Sequence, residues 1–231
     1  MSQEHPLDYL AWNSLSTKHK HLGKIGEKAA IYDPQVFAFA AIKEDTPEAW
    51  SELAKLIPPN VPKFIQYKPP ENKYWTIIHV AKGDQMILEK TASFKEIEFE
   101  TLTVNDVPQM MELMKLTDAT QFEPRMIETG RYIGFKVDNR LVAMGGERFQ
   151  VEGFVEVAAV GTHPDYRRRG LGRAITGTLA NGVLERGDAP FLHCWAENES
   201  AYGLYKRMGF ETRITFTVYV IKKNPVESDR L

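Results

Sequence analysis

Cysteine is almost absent from this 231-residue sequence, in which Cys194 is the only one. An intramolecular disulfide is therefore excluded, and so is a metal site built from two or more thiolates. The six histidines show no spacing typical of metal ligands. His19 and His21 alternate, but they lie in a lysine-rich stretch without partnering carboxylates, so we expect no bound metal.

The sequence also lacks an excess of charge of either sign. Its 29 basic and 31 acidic side chains give a net charge of −2, which predicts no general attraction to nucleic acid or to an anionic membrane. No apolar stretch approaches the roughly 20 residues needed to span a bilayer. The first residues show no basic start followed by an apolar run, so no signal peptide is predicted. We expect a cytoplasmic monomer or homodimer with neither membrane nor nucleic-acid partners.

Composition changes near residue 90, where we place a domain boundary. Eight of the 13 prolines lie in residues 1–90, and proline interrupts regular elements. Within this part Thr46 and Pro47 predict the start of a helix, and residues 75–80 and 85–88 predict two strands joined near Gly83. The polar stretch 89–96 contains no strong core pattern. We therefore predict a smaller α/β lobe over 1–90 and a second domain over 97–231.

The second domain shows strands that alternate with helices. The patterns predict strands over 97–102, 132–137, 141–146, 154–160, 191–196 and 212–222, and helices beginning at Asn105 or Asp106, at Gly170 and at Glu199. A polar pair, Asp138-Asn139, predicts a hairpin turn. The methionine stripe of the first of these helices favours core packing over ligand binding. The fold class is therefore α/β, with a mixed twisted sheet and flanking helices.

Residues 160–172, VGTHPDYRRRGLG, carry the strongest functional pattern. A strand ends, Pro164 and Asp165 turn the chain, and a helix opens at a glycine pair. Exposed amides and the positive end of the helix dipole at such a start can hold a diphosphate. The glycines allow close approach of the ligand, and nearby cationic side chains would add donors: Arg167, Arg168, Arg169 and Arg173.

Two other interpretations of the arginine run stay open from this segment alone. The side chains could form a solvated basic face, or they could hold the phosphates of a nucleic acid. No comparable basic cluster occurs elsewhere in the sequence, which disfavours an extended nucleic-acid footprint. Phosphate or cofactor binding is therefore the preferred interpretation.

A second pattern follows in residues 197–210, ENESAYGLYKRMGF. Asn198 is a good N-cap after a strand, and Gly209 is a good residue to end the helix. The helical spacing puts Ala201 and Tyr205 on the inward face. Taken alone, a tyrosine in this position is more often a packing residue with one hydrogen bond.

Together, Arg167-x-x-Gly170-x-Gly172 and Asn198-x-x-Ala201-x-x-x-Tyr205-x-x-x-Gly209 closely resemble the GNAT superfamily of acyl-CoA-dependent N-acyltransferases. The resemblance covers about residues 97–220 and is strongest over 155–212. The N-terminal half more loosely resembles the extra lobe of glycine-N-acyltransferase-like members, which is often a degenerate copy of the catalytic fold.

The resemblance implies acetyl-CoA, or another short acyl-CoA, as co-substrate and a primary amine of a small molecule or peptide as acceptor. Backbone groups of Val160, Gly161 and Thr162 would pair with the pantetheine arm. Asn198 would bind the cofactor where two parallel strands separate, and Ala201 and Tyr205 would line the same site. The diphosphate would be held along the helix start, by Arg167, Arg168, Arg169, Gly170, Leu171, Gly172 and Arg173.

An amine attacks a thioester only as the free base, so a general base is needed. Glu156 is our candidate, because histone-type GNAT members carry a catalytic glutamate on this strand, and we expect burial to raise its pKa. A solvent-facing carboxylate or a strand ion pair is the alternative. Tyr205 would protonate the departing thiolate, and Cys194 is expected to be a buried structural thiol. The alternative function is a non-catalytic acyl-CoA sensor or interaction module.

Overall fold

The computed structural model describes residues 5–117 and 122–225, which divide into two compact units. The first unit comprises residues 5–83 and 215–225, and the second comprises residues 84–117 and 122–214. Within these described ranges no helix has both the length and the apolar character needed to cross a membrane.

Within residues 5–117 and 122–225, five α-helices and eleven strands are present. The helices are α1 Leu10–Ser16, α2 Pro47–Leu56, α3 Val107–Leu116, α4 Leu171–Glu185 and α5 Glu199–Arg207. The strands are β1 Gly23–Ile25, β2 Ala29–Tyr32, β3 Ala40–Ile42, β4 Lys63–Ile65, β5 Trp75–Ile87, β6 Glu100–Thr101, β7 Tyr132–Val137, β8 Arg140–Val151, β9 Phe154–Thr162, β10 Ala189–Trp195 and β11 Glu211–Lys223.

In the first unit, β1, β2 and β3 form an antiparallel sheet that packs against α2. The helix begins as the sequence predicts. The hydroxyl of Thr46 accepts a hydrogen bond from the Ala49 amide at 3.3 Å, and Pro47 occupies the first turn. Trp50 and Leu53 then bury the apolar face of α2, which stabilises the helix by removing that face from water.

The prediction of two strands joined near Gly83 is wrong, because the single strand β5 runs without a break from Trp75 to Ile87. A glycine inside a strand does not require a turn, and Gly83 is buried in the ladder. The sequence placed residues 97–231 in one domain, whereas residues 215–225 belong to the first unit. The reason is strand pairing: β11 lies antiparallel to β4, with Tyr219 opposite Ile65.

The second unit is built on a sheet with strand order β10-β9-β8-β7-β6. The predicted hairpin between β7 and β8 is confirmed, with Asp138 at φ 49° and Asn139 at φ 61°, as expected for a type I′ turn. The strand predicted over 97–102 is reduced to β6, and Ile97 and Phe99 pack against the core instead.

The core of this unit lies between α4 and the sheet. Ile175 and Leu179 of α4 pack in one buried cluster with Val157 and Leu192 of the strands. Met110 and Met114 of α3 are also buried, in agreement with the predicted packing role of the methionine stripe.

Residues 89–99 are part of this core, although the sequence showed no core pattern there. Ala92 is 5% exposed, and its backbone N–H and C=O both bond the Asn181 carboxamide on α4 at 2.9 and 3.2 Å. Phe94 packs over Gly177, where an added Cβ would come within 2.1 Å of the ring. The sequence showed no strong core pattern here because Ala92 and Phe94 are the only apolar residues of 89–96, and their partners Asn181 and Gly177 lie on a distant helix.

Candidate active site

A β-bulge in β9 reshapes the end of that strand. Met144 is opposite Gly161 and Gly146 is opposite Ala158, so Ala159 and Val160 together face the single residue Gly145 of β8. Ala159 has a φ of 52°, a backbone conformation that non-glycine residues rarely adopt. A bulge bends the strand that carries it, and this one lies just before Gly161 and Thr162, which pair again with Met144 and Ala143 of β8.

Beside the bulge, the parallel strands β9 and β10 separate. Their pairing begins at Phe154 and Ala189 and ends at Glu156 and Phe191. In the part of the chain that the structure describes, no further pair joins them, although β9 continues to Thr162 and β10 to Trp195. The result is a wedge-shaped gap whose β9 side is formed by the predicted pantetheine-binding residues Val160, Gly161 and Thr162.

Helix α4 begins next to the same strand end. Its N-cap is Gly170, with a φ of 82°, and among the described residues no side chain caps the helix. The first intrahelical bond runs from the Ala174 amide to the Gly170 carbonyl at 3.0 Å, so the amides of Leu171, Gly172 and Arg173 precede it and need other partners. A Cβ on Gly172 would lie 3.8 Å from the Thr162 hydroxyl. The free amides and the positive end of the helix dipole make this helix start suited to an anion.

The predicted arginines surround this helix start and are all exposed. Arg167 donates to the Thr162 carbonyl at 3.4 Å, and Arg169 donates to the Asp165 carbonyl at 3.1 Å while lying 4.7 Å from the centre of the Tyr166 ring. Arg168 adopts a φ of 61° in the turn. These contacts position cationic groups around a site suited to a diphosphate.

Arg173 differs from the other three arginines in its partner. Its guanidinium donates to the Ser93 carbonyl at 2.8 Å, so this side chain also ties residues 89–99 to α4.

Helix α5 supplies the other predicted side chains. Asn198 caps it, because its Oδ1 accepts from the Ala201 amide at 3.1 Å. Tyr205 packs edge-on to Phe210 and against the core cluster that contains Cys194, together with Ala201. Burial and the neighbouring Cys194 raise the pKa of Tyr205 to about 12, so its phenol is protonated at neutral pH and can donate a proton.

Cys194 is a buried thiol, as predicted. Burial and Asp84 raise its pKa to about 11. The S–H group lies 3.7 Å from the carbonyls of Trp195 and Asn198. A thiol held neutral in this way is a poor nucleophile.

Glu156 lies at the apex of the gap, and its carboxylate is fully buried. It accepts two hydrogen bonds from Arg148, at 2.8 and 2.7 Å, and lies 2.6 Å from Nδ1 of His193. Burial alone would raise the pKa of Glu156, but Arg148 and His193 hold it well below its usual range. The expected raised pKa is therefore wrong, because the opposing charges outweigh desolvation.

Sequence reasoning missed the polar chain to which Glu156 belongs. It runs through side chains on neighbouring strands, from Arg148 through Glu156 and His193 to Gln85 and Arg213. The available signal was a charged or polar residue in the middle of each of several apolar strands, which indicates a buried pair. Which residues pair with which depends on strand order, and a single strand's pattern does not contain that order.

The chain is 32% identical to a protein from Novosphingobium aromaticivorans assigned to the GNAT acetyltransferase family, with 96% of this chain and 100% of the other covered and a TM-score of 0.86. The chain belongs to the GNAT superfamily. Residues 132–220 of this GNAT protein also match the FR47-like protein family.

Two further solved structures share the GNAT fold at low identity. A GCN5-related N-acetyltransferase from Kribbella flavida is 17% identical over 96% of this chain and 99% of its own, with a TM-score of 0.62. A GCN5-related N-acetyltransferase-like protein from Streptococcus suis is 14% identical over 85% and 83%, with a TM-score of 0.54. A comparison with curated proteins finds no match. The GNAT fold supports acyl transfer from acyl-CoA.

Proposed function

We propose that this protein transfers an acetyl or other short acyl group from acyl-CoA to a primary amine of a small molecule or peptide. The observation that carries the proposal is the gap between β9 and β10, which opens beside the uncapped start of α4. A gap between strands accepts an extended chain along free backbone groups, and a helix start accepts a diphosphate. Acyl-CoA contains both parts, joined in this order.

The amides from Arg168 to Arg173 would hold the diphosphate, with Arg167 and Arg169 adding charge. Backbone groups of Val160, Gly161 and Thr162 would pair with the pantetheine arm. The carboxamide of Asn198, at the end of β10, would bind the arm from the other side of the gap, next to Ala201. This arrangement leads the thioester toward the apex of the gap.

Transfer would proceed by direct attack of the amine on the thioester carbonyl. A backbone amide near Val160, where the bulge turns the strand, would stabilise the developing oxyanion. Tyr205 would protonate the departing thiolate, since a phenol whose pKa is raised to about 12 carries its proton throughout the neutral range. The Cys194 thiol takes no part, so no acyl-enzyme forms.

The test is release of free CoA thiol from acetyl-CoA with a panel of amino acids, polyamines and aminoglycosides, alongside calorimetric titration of acetyl-CoA. We expect saturable binding and amine-dependent release. Binding without release from any amine would favour a non-catalytic acyl-CoA sensor. Absence of binding would overturn the assignment of the gap itself.

A further inference from the structure

His193 and Arg213 are the two partly exposed members of the polar chain of the second unit, and His193 is the one that contacts Glu156. The side chain of Glu156 is 0% exposed, whereas that of His193 is 14% exposed. His193 lies two residues beyond Phe191, the last residue of β10 that pairs with β9. Its ring is therefore on the separated part of β10, at the gap, and the carboxylate behind it is sealed from water.

The hydrogen bonds of the ring define its neutral tautomer. The Glu156 carboxylate can only accept, so Nδ1 carries the hydrogen in the 2.6 Å contact between them. The Gln85 carbonyl oxygen accepts from Arg213 at 2.6 Å, which leaves the Gln85 amide nitrogen to donate to Nε2 of His193 at 3.2 Å. Nε2 therefore holds a lone pair in the neutral ring.

Tyr205 and His193 lie on opposite sides of β10. Adjacent residues of a strand point to opposite faces, so His193 and Cys194 face away from each other. Cys194 belongs to the core cluster against which Tyr205 packs. His193 instead shares the other face with Glu156 and Phe191. A thioester at the apex would have Tyr205 on the thiolate side and His193 on the side from which an amine attacks.

We propose that His193 is the general base, which accepts a proton from the acceptor's ammonium group, and that Glu156 acts through it as a positioning residue. This inference rests on the proposed acyl transfer. The acceptor's ammonium group replaces the Gln85 amide as the donor to Nε2. Glu156 fixes the tautomer and the ring orientation, and its charge stabilises the imidazolium that forms.

His193, Tyr205 and water account for every proton that moves in the proposed reaction. Nε2 takes one proton from the ammonium, and the free amine forms a bond to the thioester carbonyl carbon. The carbon–sulfur bond then breaks, and the thiolate takes the proton of Tyr205. The attacking nitrogen loses a second proton, which restores the phenol, and keeps the third in the amide. His193 passes its proton to water.

The kinetic test compares wild type with His193→Ala for two acceptors. One is the best amine of the panel, which is an ammonium ion at neutral pH, and the other is trifluoroethylamine, which is largely neutral there. We expect kcat with the ammonium acceptor to fall about 10²-fold or more, with partial recovery on addition of imidazole. The loss with trifluoroethylamine should be under about tenfold, since that amine needs no deprotonation before attack, and acetyl-CoA affinity should stay within about twofold.

His79→Ala, on an exposed stretch of β5 in the first unit, is the matched control and should leave kcat unchanged. Equal losses with both amines would overturn the base role, because a purely structural effect does not distinguish the charge of the acceptor. Retention of kcat in His193→Ala would also overturn it. No thiol release by wild type with any amine would instead defeat the proposed function.

A spectroscopic readout tests the positioning role independently of turnover. Nitrogen-15 NMR of histidine-labelled wild-type protein should show His193 as the Nδ1–H tautomer, and Glu156→Gln should remove that preference. A ring protonated at Nε2 in wild type would overturn the proposal, because its lone pair would then face Glu156 rather than the acceptor.

Discussion

The guanidinium of Arg148 and the carboxylate of Glu156 form a bidentate ion pair between neighbouring strands, with nitrogen–oxygen distances of 2.8 and 2.7 Å. The carboxylate is fully buried, and the Phe149 amide lies 3.3 Å from it. A charge this deep is tolerated only with partners. The pair therefore holds Glu156 ionised at the apex of the gap.

Arg148→Met should destabilise the protein by about 3–5 kcal/mol, because it leaves a buried carboxylate without its main counter-charge. Urea unfolding measures the change. Arg125→Met is the matched control. Arg125 also forms a bidentate ion pair, with Glu128, but both side chains are about a third exposed, at 34% and 38%. That substitution should cost less than about 1 kcal/mol. Similar losses in the two variants would contradict a special role for burial.

The stability difference between wild type and Glu156→Gln, which has no carboxyl to titrate at this position, should depend on pH in one direction. The pKa of Glu156 is lower in the folded protein than in the unfolded chain, so the pair's contribution is fully present above the unfolded value of about 4.3. It is lost as the pH falls toward the lowered folded value. Urea titrations from pH 8 to pH 3 should show a constant difference down to about pH 5 and a smaller one below about pH 4. A difference that grows on acidification would refute this assignment.

Gly170→Val should weaken acetyl-CoA binding at least about tenfold, because the residue has a φ of 82° at the helix start and a β-branched side chain disfavours that conformation. Gly187→Val provides the control. Gly187 has a φ of 86° just beyond the other end of α4, and a Cβ at either glycine meets nothing within 4 Å. Both variants should lose similar stability, but calorimetry should show lost affinity only for Gly170→Val. Equal affinities would remove the helix start from the binding site.

Tyr205→Phe should lower kcat about 10²-fold or more, since it removes the acid but keeps the ring that packs against Phe210. The dissociation constant for acetyl-CoA should change less than about twofold. Tyr202→Phe changes an exposed phenol on the same helix and should leave both quantities unchanged. Turnover that survives in Tyr205→Phe would assign thiolate protonation to water.

Gly177→Ala should destabilise the second unit by about 1–3 kcal/mol through overpacking, because the added Cβ would lie 2.1 Å from the Phe94 ring. Hydrogen exchange of residues 89–99 should accelerate as Phe94 is displaced. Gly182→Ala, in the same helix, would meet only the ends of Arg131 and Arg186, at 3.6 and 3.8 Å. It should therefore stabilise the protein by about 0.5–1 kcal/mol through helix propensity. Equal effects would mean that Phe94 does not rest on the glycine.

Local signals in the sequence by themselves determined the helix start at Gly170, the caps at Thr46 and Asn198, and the turn at Asp138-Asn139. Each depends on residues within four positions of one another, where side-chain chemistry and backbone preference act directly. The same signals, paired in order along the chain, indicated the superfamily and the residues around the proposed gap.

Only the tertiary structure decided which distant residues meet. The bulge at Ala159 depends on its register with β8, and the pKa of Glu156 depends on Arg148 and His193, which other strands supply. The membership of residues 215–225 in the first unit likewise follows from pairing with β4. These properties arise from strand order and burial, which create contacts and local dielectric between residues far apart in the sequence.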